Sequence, residues 1–272
     1  DTLVVGAWGE SSNATGVGGN QLDESASRSG AVYVFRNTNG VWAQEAYIKA
    51  SNTGENDGFG RVLALDGDTL VVGAFSEESN ATGVDGNQGD NSLFRAGAAY
   101  VFRRNGTTWT QEAYIKASNT EGQTSFGLAV ALEGDRLAVG SPRERSNSTG
   151  IDAAQNTDGS SNGAVYVFAR TNGVWEEKTY IKASTTDFGD RFGSTLAWSG
   201  EQTFYYWLKN ERTLWVRRIT TSASPLANPR RFTESELTNM TTQHGTSVGE
   251  NVTEFAVVNR LPDGSSRLVD VS

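Results

Sequence analysis

Two long loops of the chain carry Asp and Asn residues at a spacing that suits a calcium ion. Calcium takes several hard oxygen ligands, which carboxylate and amide side chains supply. The candidate ligands are Asp85, Asn87, Asp90, Asp152, Asn156 and Asp158. A similar loop nearer the start of the chain has Gly18, Asn20 and Asp23 in the matching places, so charge is not preserved among the loops. A solvated loop is therefore the favoured interpretation, and bound Ca²⁺ is the alternative.

Three tryptophans recur ahead of a Tyr-Ile-Lys sequence, namely Trp42, Trp109 and Trp175. An exposed aromatic ring can stack on a sugar, which would give one shallow ligand-binding pocket in each repeat. Large aromatic residues that recur at a structural period more often fill the space between packed elements. Packing is therefore favoured over ligand binding for these three side chains.

The remaining recurrent charges give little support to enzymatic chemistry. Lys49, Lys116 and Lys182 recur in the same strands as the tryptophans, and we expect them to be solvated. His244 is the single histidine, so a histidine-based catalytic triad has only one place to form. Most acidic residues lie in loops and turns that repeat, which is typical of a scaffold. We therefore predict that the protein is not an enzyme, and a glycan hydrolase or lyase in residues 201–272 is the less favoured alternative.

Composition restricts both the partners and the fold class. The chain has 272 residues, a formal net charge of −9 and a pI of about 4.8. Nucleic acid is not an expected partner, because phosphate binding requires clustered Lys and Arg. The 31 glycines and the many Asn, Ser and Thr residues indicate frequent turns and few long helices, which favours an all-β protein. No apolar run approaches the roughly 20 residues of a membrane helix, so no membrane span is expected.

A repeat of 66 to 67 residues organises the chain up to about residue 200. It is visible in Gly6, Gly73 and Gly140, spaced by 67 and 67 residues, and in Tyr47, Tyr114 and Tyr180, spaced by 67 and 66. Each copy contains short runs rich in β-branched and aromatic residues; in the second copy they read GRVLAL, TLVVGA, GAAYVF and WTQEAYIKA. These runs predict four strands, and Asp66-Gly67 predicts a tight turn between the first two.

The run TLVVGA at residues 69–74 does not alternate between apolar and polar residues. It therefore predicts a strand that is covered on both faces, as happens when sheets stack face to face. The small residues at its end are expected where several sheets crowd toward a common axis. Four-stranded antiparallel units that repeat at a fixed period and stack radially form a β-propeller. The predicted fold class is therefore all-β, with a β-propeller of four-stranded blades.

The phrase FGRVLALDGDTLVVGAF, followed by GAAYVF, resembles the FG-GAP repeat of integrin α-chain propellers and of large bacterial surface proteins. The Phe-Gly pair is present at 59–60, 126–127 and 192–193, and looser forms of Gly-Ala-Pro stand at 73–75 and 140–142. The resemblance covers about residues 1–200 and implies an integrin-like propeller blade. The long loops are similar to those of the bacterial branch, which implies a secreted or surface protein.

The resemblance also implies a metal site that this chain does not match. Integrin-type repeats bind Ca²⁺ in a loop between the first and second strands of a blade. Here the same connection is only LDGDT, LEGDR or WSGEQ, which is too short to surround a cation. We therefore expect Asp66, Asp68 and Asp135 to form turns.

The repeat predicts two regions. Residues 1–200 are expected to hold a first blade without its first strand, complete second and third blades, and the start of a fourth. Residues 201–272 are expected to form a divergent, shortened fourth blade and a C-terminal β-hairpin around Pro262-Asp263-Gly264. That hairpin could pair with the open first blade and close the ring. Alternatively, the chain is a piece of a larger propeller, which is favoured because its first residues match the middle of a repeat.

These expectations favour a binding function. Loops on a rigid frame are the usual seat of binding, so we predict a non-catalytic extracellular scaffold for recognition or adhesion. Its rim loops would bind a protein or a glycan at the cell surface. The alternative is a building block of a surface layer or filament, which associates with copies of itself or with a sister fragment. The expected location is extracellular or at the surface of a bacterial cell, and no cofactor is expected apart from the alternative Ca²⁺.

Overall fold

The computed structural model of the protein describes residues 1–199 and the backbone of five strands beyond them. The chain divides into two compact units, residues 1–196 and residues 197–272. The described residues form β-strands, turns and loops, with no helix among them. The strands are antiparallel within each sheet, and the sheets repeat as the sequence predicts. The prediction of an all-β fold built from propeller blades is thus confirmed.

Three sheets form the first unit. Blade 1 consists of β1 (Thr2–Ala7), β2 (Ala31–Thr38) and β3 (Val41–Ile48). Blade 2 consists of β4 (Val62–Asp66), β5 (Thr69–Ala74), β6 (Ala98–Asn105) and β7 (Thr108–Ile115). Blade 3 consists of β8 (Ala129–Glu133), β9 (Arg136–Ser141), β10 (Ala164–Thr171) and β11 (Val174–Ile181). In each blade the strands follow one another in sequence order across the sheet.

The second unit contains a four-stranded sheet and a two-stranded sheet. The first is made of β12 (Ala197–Ser199), β13 (Thr203–Trp207), β14 (Leu214–Arg218) and β15 (Arg230–Arg231). The second is made of β16 (Ala256–Arg260) and β17 (Ser266–Asp270), which pair with each other. The predicted turn at Pro262-Asp263-Gly264, the closure of the ring and His244 lie outside the described residues.

Glycine sets the turn between the first two strands of blade 2. Asp66 pairs with Thr69, so the two turn residues are Gly67 and Asp68, one position later than the predicted Asp66-Gly67. Gly67 has a φ of 55°, a conformation that glycine adopts without strain. The Asp66 carboxylate contacts the next blade, because its Oδ2 accepts a hydrogen bond of 2.6 Å from the amide of Gly134 in blade 3. This aspartate therefore links two blades as well as flanking a turn.

The Phe-Gly pair is the point where each blade docks on the preceding one. Phe126 forms a parallel bridge with Gly97, and its amide donates to the carbonyl of Ala96 in blade 2 at 3.0 Å. A Cβ atom added to Gly73 would lie 2.1 Å from the carbonyl oxygen of Gly127. The small residue at the end of β5 is therefore required by the backbone of the next blade, which explains why the phrase recurs.

The core lies between blades. All six residues of β5 are buried, which confirms that both faces of this strand are covered. Leu70 and Val72 pack with Val32 and Val34 of blade 1. Val71, which points to the other face, packs in the cluster shared with blade 3. Alternate side chains of one strand thus hold the two neighbouring blades, and each blade is stabilised by burying the flank of another.

Candidate recognition surface

A buried polar cluster fixes the start of each long loop. In blade 2, the Lys116 ammonium lies 2.7 Å from Glu77 Oε2, and both side chains are fully buried. The Tyr114 hydroxyl donates to Glu77 Oε1 at 2.8 Å, and the Asn52 amide of blade 1 donates to the same oxygen at 2.9 Å. Burial lowers the pKa of Lys116, and the Glu77 carboxylate opposes that shift. A charge pair in such a site requires all of these partners, because an unpaired buried ion is costly.

The buried lysine–glutamate pair recurs in the other two blades. Lys49 lies 2.7 Å from Glu10, and Lys182 lies 2.6 Å from Glu144. The expectation that Lys49, Lys116 and Lys182 are solvated is therefore wrong, since the three side chains are fully buried ion-pair partners. The signal was present in the sequence: Glu10, Glu77 and Glu144 recur at the same period as the lysines.

Each long loop returns to the outer strand of its own blade. The Lys116 amide donates to the carbonyl of Gly83 at 2.8 Å, and the Asp85 amide donates to the carbonyl of Tyr114 at 2.7 Å. Isolated bridges join Val84 to Ile115 and, in blade 3, Ile151 to Ile181. The loops are thus attached along their length, which gives them a fixed shape on the rim of the blades.

Asp85 and Asp152 are candidate calcium ligands by sequence, but in the structure they stabilise the backbone of their loops. Asp85 and Asp152 have φ values of 53° and 49°, and the matching Gly18 has 81°. Asp85 Oδ1 accepts the amide of Tyr114 at 2.9 Å. Asp152 Oδ1 accepts the equivalent amide of Tyr180 at 2.9 Å. A left-handed backbone at this position favours Gly and tolerates Asp, which explains why the charge is not preserved.

The other candidate oxygens also cap loop amides. Asp90 Oδ1 accepts the amides of Asn80 and Ser92, both at 3.0 Å, and hydrogen bonds from Ser92 and Asn80 lower the pKa of Asp90. Asn156 Oδ1 takes the same place in blade 3 and accepts the amide of Asn147 at 3.1 Å, so the role does not need a charge.

The last two candidate calcium ligands, Asn87 and Asp158, also make hydrogen bonds within their own loops. Asn87 Oδ1 accepts the amide of Gly89 at 3.0 Å, and the amide of Asp158 donates to Asn156 Oδ1 at 3.4 Å. Among the residues that the structure describes, no three His, Cys, Asp or Glu side chains converge as a metal site would require.

The three recurrent tryptophans occupy two different environments. Trp109 and Trp175 are buried, and their indole N–H groups donate to Glu45 and Glu112 of the preceding blade, both at 2.9 Å. Buried between blades, these two rings have no face open to a sugar. Trp42 is half exposed, so it alone of the three presents a ring surface.

A groove opens on the rim between blades 2 and 3. We call it the rim groove; it has a volume of about 520 Å³ and is lined by Ser118, Asp152, Gln155, Glu177 and Tyr180 among others. Gln155 Nε2 donates to Ser118 Oγ at 2.7 Å, and Ser118 Oγ donates to Glu177 Oε1 at 2.9 Å. Glu177 Oε2 and the Tyr180 hydroxyl are buried and have no hydrogen-bond partner within the described part of the chain.

Burial raises the pKa of Glu177, and the nearby Asp152 carboxylate adds to the shift, while the Ser118 hydrogen bond opposes it. Of the side chains in the rim groove, the sequence singled out only Asp152. No recurring residue type marks Glu177 in the sequence, because the equivalent positions of the other two copies are Gln111 and Gln44. The groove joins residues from separate segments, and only the folded blades bring them together.

Comparison with known proteins identifies the repeat. Residues 42–102 and 109–168 match the family model described as FG-GAP repeat. No curated protein sequence shows significant similarity to the chain. In the part of the chain that the structure describes, no helix has the length and apolar character to cross a membrane.

The two matched segments are adjacent repeats, and they span parts of all three blades of the first unit. FG-GAP repeats form propeller blades, which are typically binding folds and occur in extracellular and surface proteins. The resemblance read from the Phe-Gly pairs is thereby confirmed. The chain therefore carries two adjacent FG-GAP repeats, which lie within a first unit of propeller blades.

Proposed function

We propose that the protein is a non-catalytic recognition scaffold of a bacterial cell surface, which binds a glycan through the rim groove. The observation that carries the proposal is the rim groove, where Gln155, Ser118 and Glu177 form a chain of hydrogen bonds between two rigid blades. Polar groups placed in a concave site fix the orientation of a ligand and provide specificity.

The groove matches a hydroxyl-rich ligand in its chemistry. Asp152 and Glu177 line it with carboxylates, and Ser118 and Gln155 line it with groups that can donate or accept. Sugar hydroxyls need both kinds of partner. The fixed loops keep these groups in place before binding, which reduces the ordering cost on association.

Two other functions remain to be distinguished from glycan binding. A protein ligand would need a larger surface than the groove, and it would contact the long loops. The second case is self-association into a layer or filament. Light scattering of the purified chain at high concentration addresses this second case, and a monomer at all concentrations would exclude self-association.

The test is an immobilised glycan panel probed with the purified chain. We expect retention of a defined glycan and at least a tenfold loss of affinity for the double variant Q155A/E177A. Glu133→Ala is the matched control, because Glu133 pairs with Arg136 outside the groove. Equal binding by all three proteins, or binding of no glycan on the panel, would contradict the proposal. Turnover of the bound glycan would contradict its non-catalytic part.

A further inference from the structure

Arg61 places its guanidinium against two aromatic rings, one from each of the first two blades. Its guanidinium carbon lies 5.3 Å from the centre of the Trp8 ring and 5.1 Å from the centre of the Phe75 ring. Trp8 directly follows β1 and Phe75 directly follows β5, so each ring stands at the base of a long loop. We call Trp8, Arg61 and Phe75 the arginine stack. It fixes a cation at the boundary of blades 1 and 2.

This stacked arginine lacks the carboxylate partner that comparable arginines have. Arg104 and Arg170 each lie over a tryptophan ring as well. Arg104 pairs with Asp68 at 2.7 Å, and Arg170 pairs with Asp135 at 2.6 Å. Within the described residues, the Arg61 guanidinium makes neither an ion pair nor a hydrogen bond. A carboxylate for Arg61 must therefore come from another molecule or from outside the described part of the chain.

Packing between blades does not require a cation at this position. Leu128 is the counterpart of Arg61 in blade 3, so an apolar side chain serves at the boundary of blades 2 and 3. Leu128 is partly exposed even though the blade ahead of it is complete. Access to solvent is thus a property of this position in a complete pair of blades. Arg61 places a charge in that opening.

Stacking leaves the hydrogen-bond donors of an arginine available. Aromatic rings contact the faces of the planar guanidinium, whereas its N–H groups lie in its plane. Two of these groups can donate in parallel to one carboxylate, which gives a short, charge-assisted pair. The rings also order the long side chain before a ligand arrives, which lowers the entropic cost of binding.

We propose that the arginine stack binds the carboxylate of an acidic sugar, such as a uronic acid. The inference rests on the proposed glycan binding and adds a second site to it. Trp8 and Phe75 are both partly exposed, so a sugar ring can pack on an aromatic ring while its carboxylate pairs with Arg61. The stack shares no residue with the rim groove, where the Asp152 carboxylate disfavours an acidic ligand.

The charge of the chain favours a ligand with an isolated carboxylate. A net charge of −9 repels a polyanion at long range, and one arginine neutralises one acidic group. An acidic residue within an otherwise neutral glycan suits such a site. An acidic peptide offers a carboxylate on a flexible stem, with no ring beside it to pack on the aromatic side chains.

The experiment titrates the full chain with methyl glucuronide and with methyl glucoside, which differ only in a carboxylate against a hydroxymethyl group. NMR follows the Arg61 Nε–H and the Trp8 indole N–H, which are identified as the signals lost in Arg61→Leu and Trp8→Phe. We expect saturable shifts of both signals with the glucuronide and at least tenfold weaker binding of the glucoside.

Three variants test the role of the guanidinium, with the Trp8 indole as the common reporter. Arg61→Leu introduces the residue of blade 3, and it should lower the affinity for the glucuronide at least tenfold. Arg61→Lys keeps the charge without the planar fork, and it should lower the affinity at least threefold. Arg143→Ser is the matched control, because it removes an arginine elsewhere and introduces the residue that Ser76 provides in blade 2. It should bind like the native chain.

Equal binding of the glucuronide by the native chain, Arg61→Leu and Arg143→Ser would overturn the inference. No saturable shift with the glucuronide would also overturn it, while retention of a neutral glycan by the rim groove would leave the proposed function standing. Loss of glucuronide binding in Q155A/E177A but not in Arg61→Leu would place the acid in the groove instead. Tighter binding of N-acetylglutamate amide than of the glucuronide at Arg61 would contradict a sugar ligand and indicate an acidic peptide.

Discussion

The hexapeptide Thr-Leu-Val-Val-Gly-Ala occurs twice, as β1 at residues 2–7 and as β5 at residues 69–74. In β5 every residue is buried, whereas in β1 Leu3 is 49% and Val5 is 41% exposed. The local sequence is identical, so the difference comes only from the neighbours. β5 lies between two strands and between two blades, while β1 pairs with β2 alone. The comparison shows that the burial of a strand depends on its neighbours, both the adjacent strand of its own sheet and the flanks of the adjacent blades.

The largest expected effect is at the contact between β5 and the next blade. Gly73→Ala would place a Cβ atom 2.1 Å from the Gly127 carbonyl oxygen, and that backbone cannot move without separating the blades. We expect the free energy of unfolding to fall by more than about 4 kcal/mol, measured by denaturant titration. Gly9→Ala is the control, since no atom lies within 4 Å of its added Cβ. A mild loss for Gly73→Ala would contradict the backbone contact.

Trp42 in blade 1 and Trp109 in blade 2 allow a direct comparison of an exposed and a buried blade flank. Trp109→Ala removes a buried ring and leaves Glu45 without its indole donor, and we expect a loss of about 4 kcal/mol. Trp42→Ala removes a ring that is already half in water, and we expect a loss of about 1 kcal/mol. The same denaturant titration measures both. Equal losses would mean that the neighbouring blade contributes little at Trp109.

The buried ion pairs of blades 1 and 2 should differ less in their contribution to the free energy of unfolding. Glu77→Ala leaves the fully buried Lys116 without its carboxylate partner, and we expect a loss of about 3 kcal/mol in the free energy of unfolding. Glu10→Ala should cost less, because the site in blade 1 is partly open to water. Thermal unfolding of the two variants tests the order, and a greater loss for Glu10→Ala would reverse the comparison.

A pH effect is expected at Asp57, which lies at the interface of blades 1 and 2. Burial, followed by the nearby Glu77 carboxylate, raises the pKa of Asp57 from 3.8 to about 7. A raised folded-state pKa stabilises the protein below about pH 4, and that stabilisation is lost as the pH rises through about 7. We expect Asp57→Asn to be more stable than the native chain at pH 8, by about 2 kcal/mol.

The same variant should keep the hydrogen bond from the Gly54 amide, since the asparagine oxygen can accept it. The next repeat supports this expectation, because the uncharged Thr124 occupies the position equivalent to Asp57. Denaturant titrations at pH 5 and pH 8 measure the difference. A native chain whose stability is unchanged between these pH values, with no gain for Asp57→Asn, would contradict the assignment.

The sequence predicted what the period and the local pattern determine. Strand positions, the blade repeat and the covered faces of β5 follow from apolar runs and turns that lie close together in the chain. The burial of Lys49 was missed, because its partner Glu10 is 39 residues away and a lysine in a strand is usually solvated. The rim groove was missed for a related reason, since Ser118, Gln155 and Glu177 meet only after two blades have packed. The loop aspartates were placed in the correct loops, but their backbone role depends on φ values that composition does not show.

Hydrogen–deuterium exchange of the two identical hexapeptides tests most directly that neighbouring blades stabilise each other. Intrinsic exchange rates of the two segments are nearly equal, because their sequences are the same. Amides of Leu70–Gly73 should exchange at least a hundredfold more slowly than those of Leu3–Gly6, because β5 is buried between two strands and between two blades. Equal protection of the two segments would contradict the account.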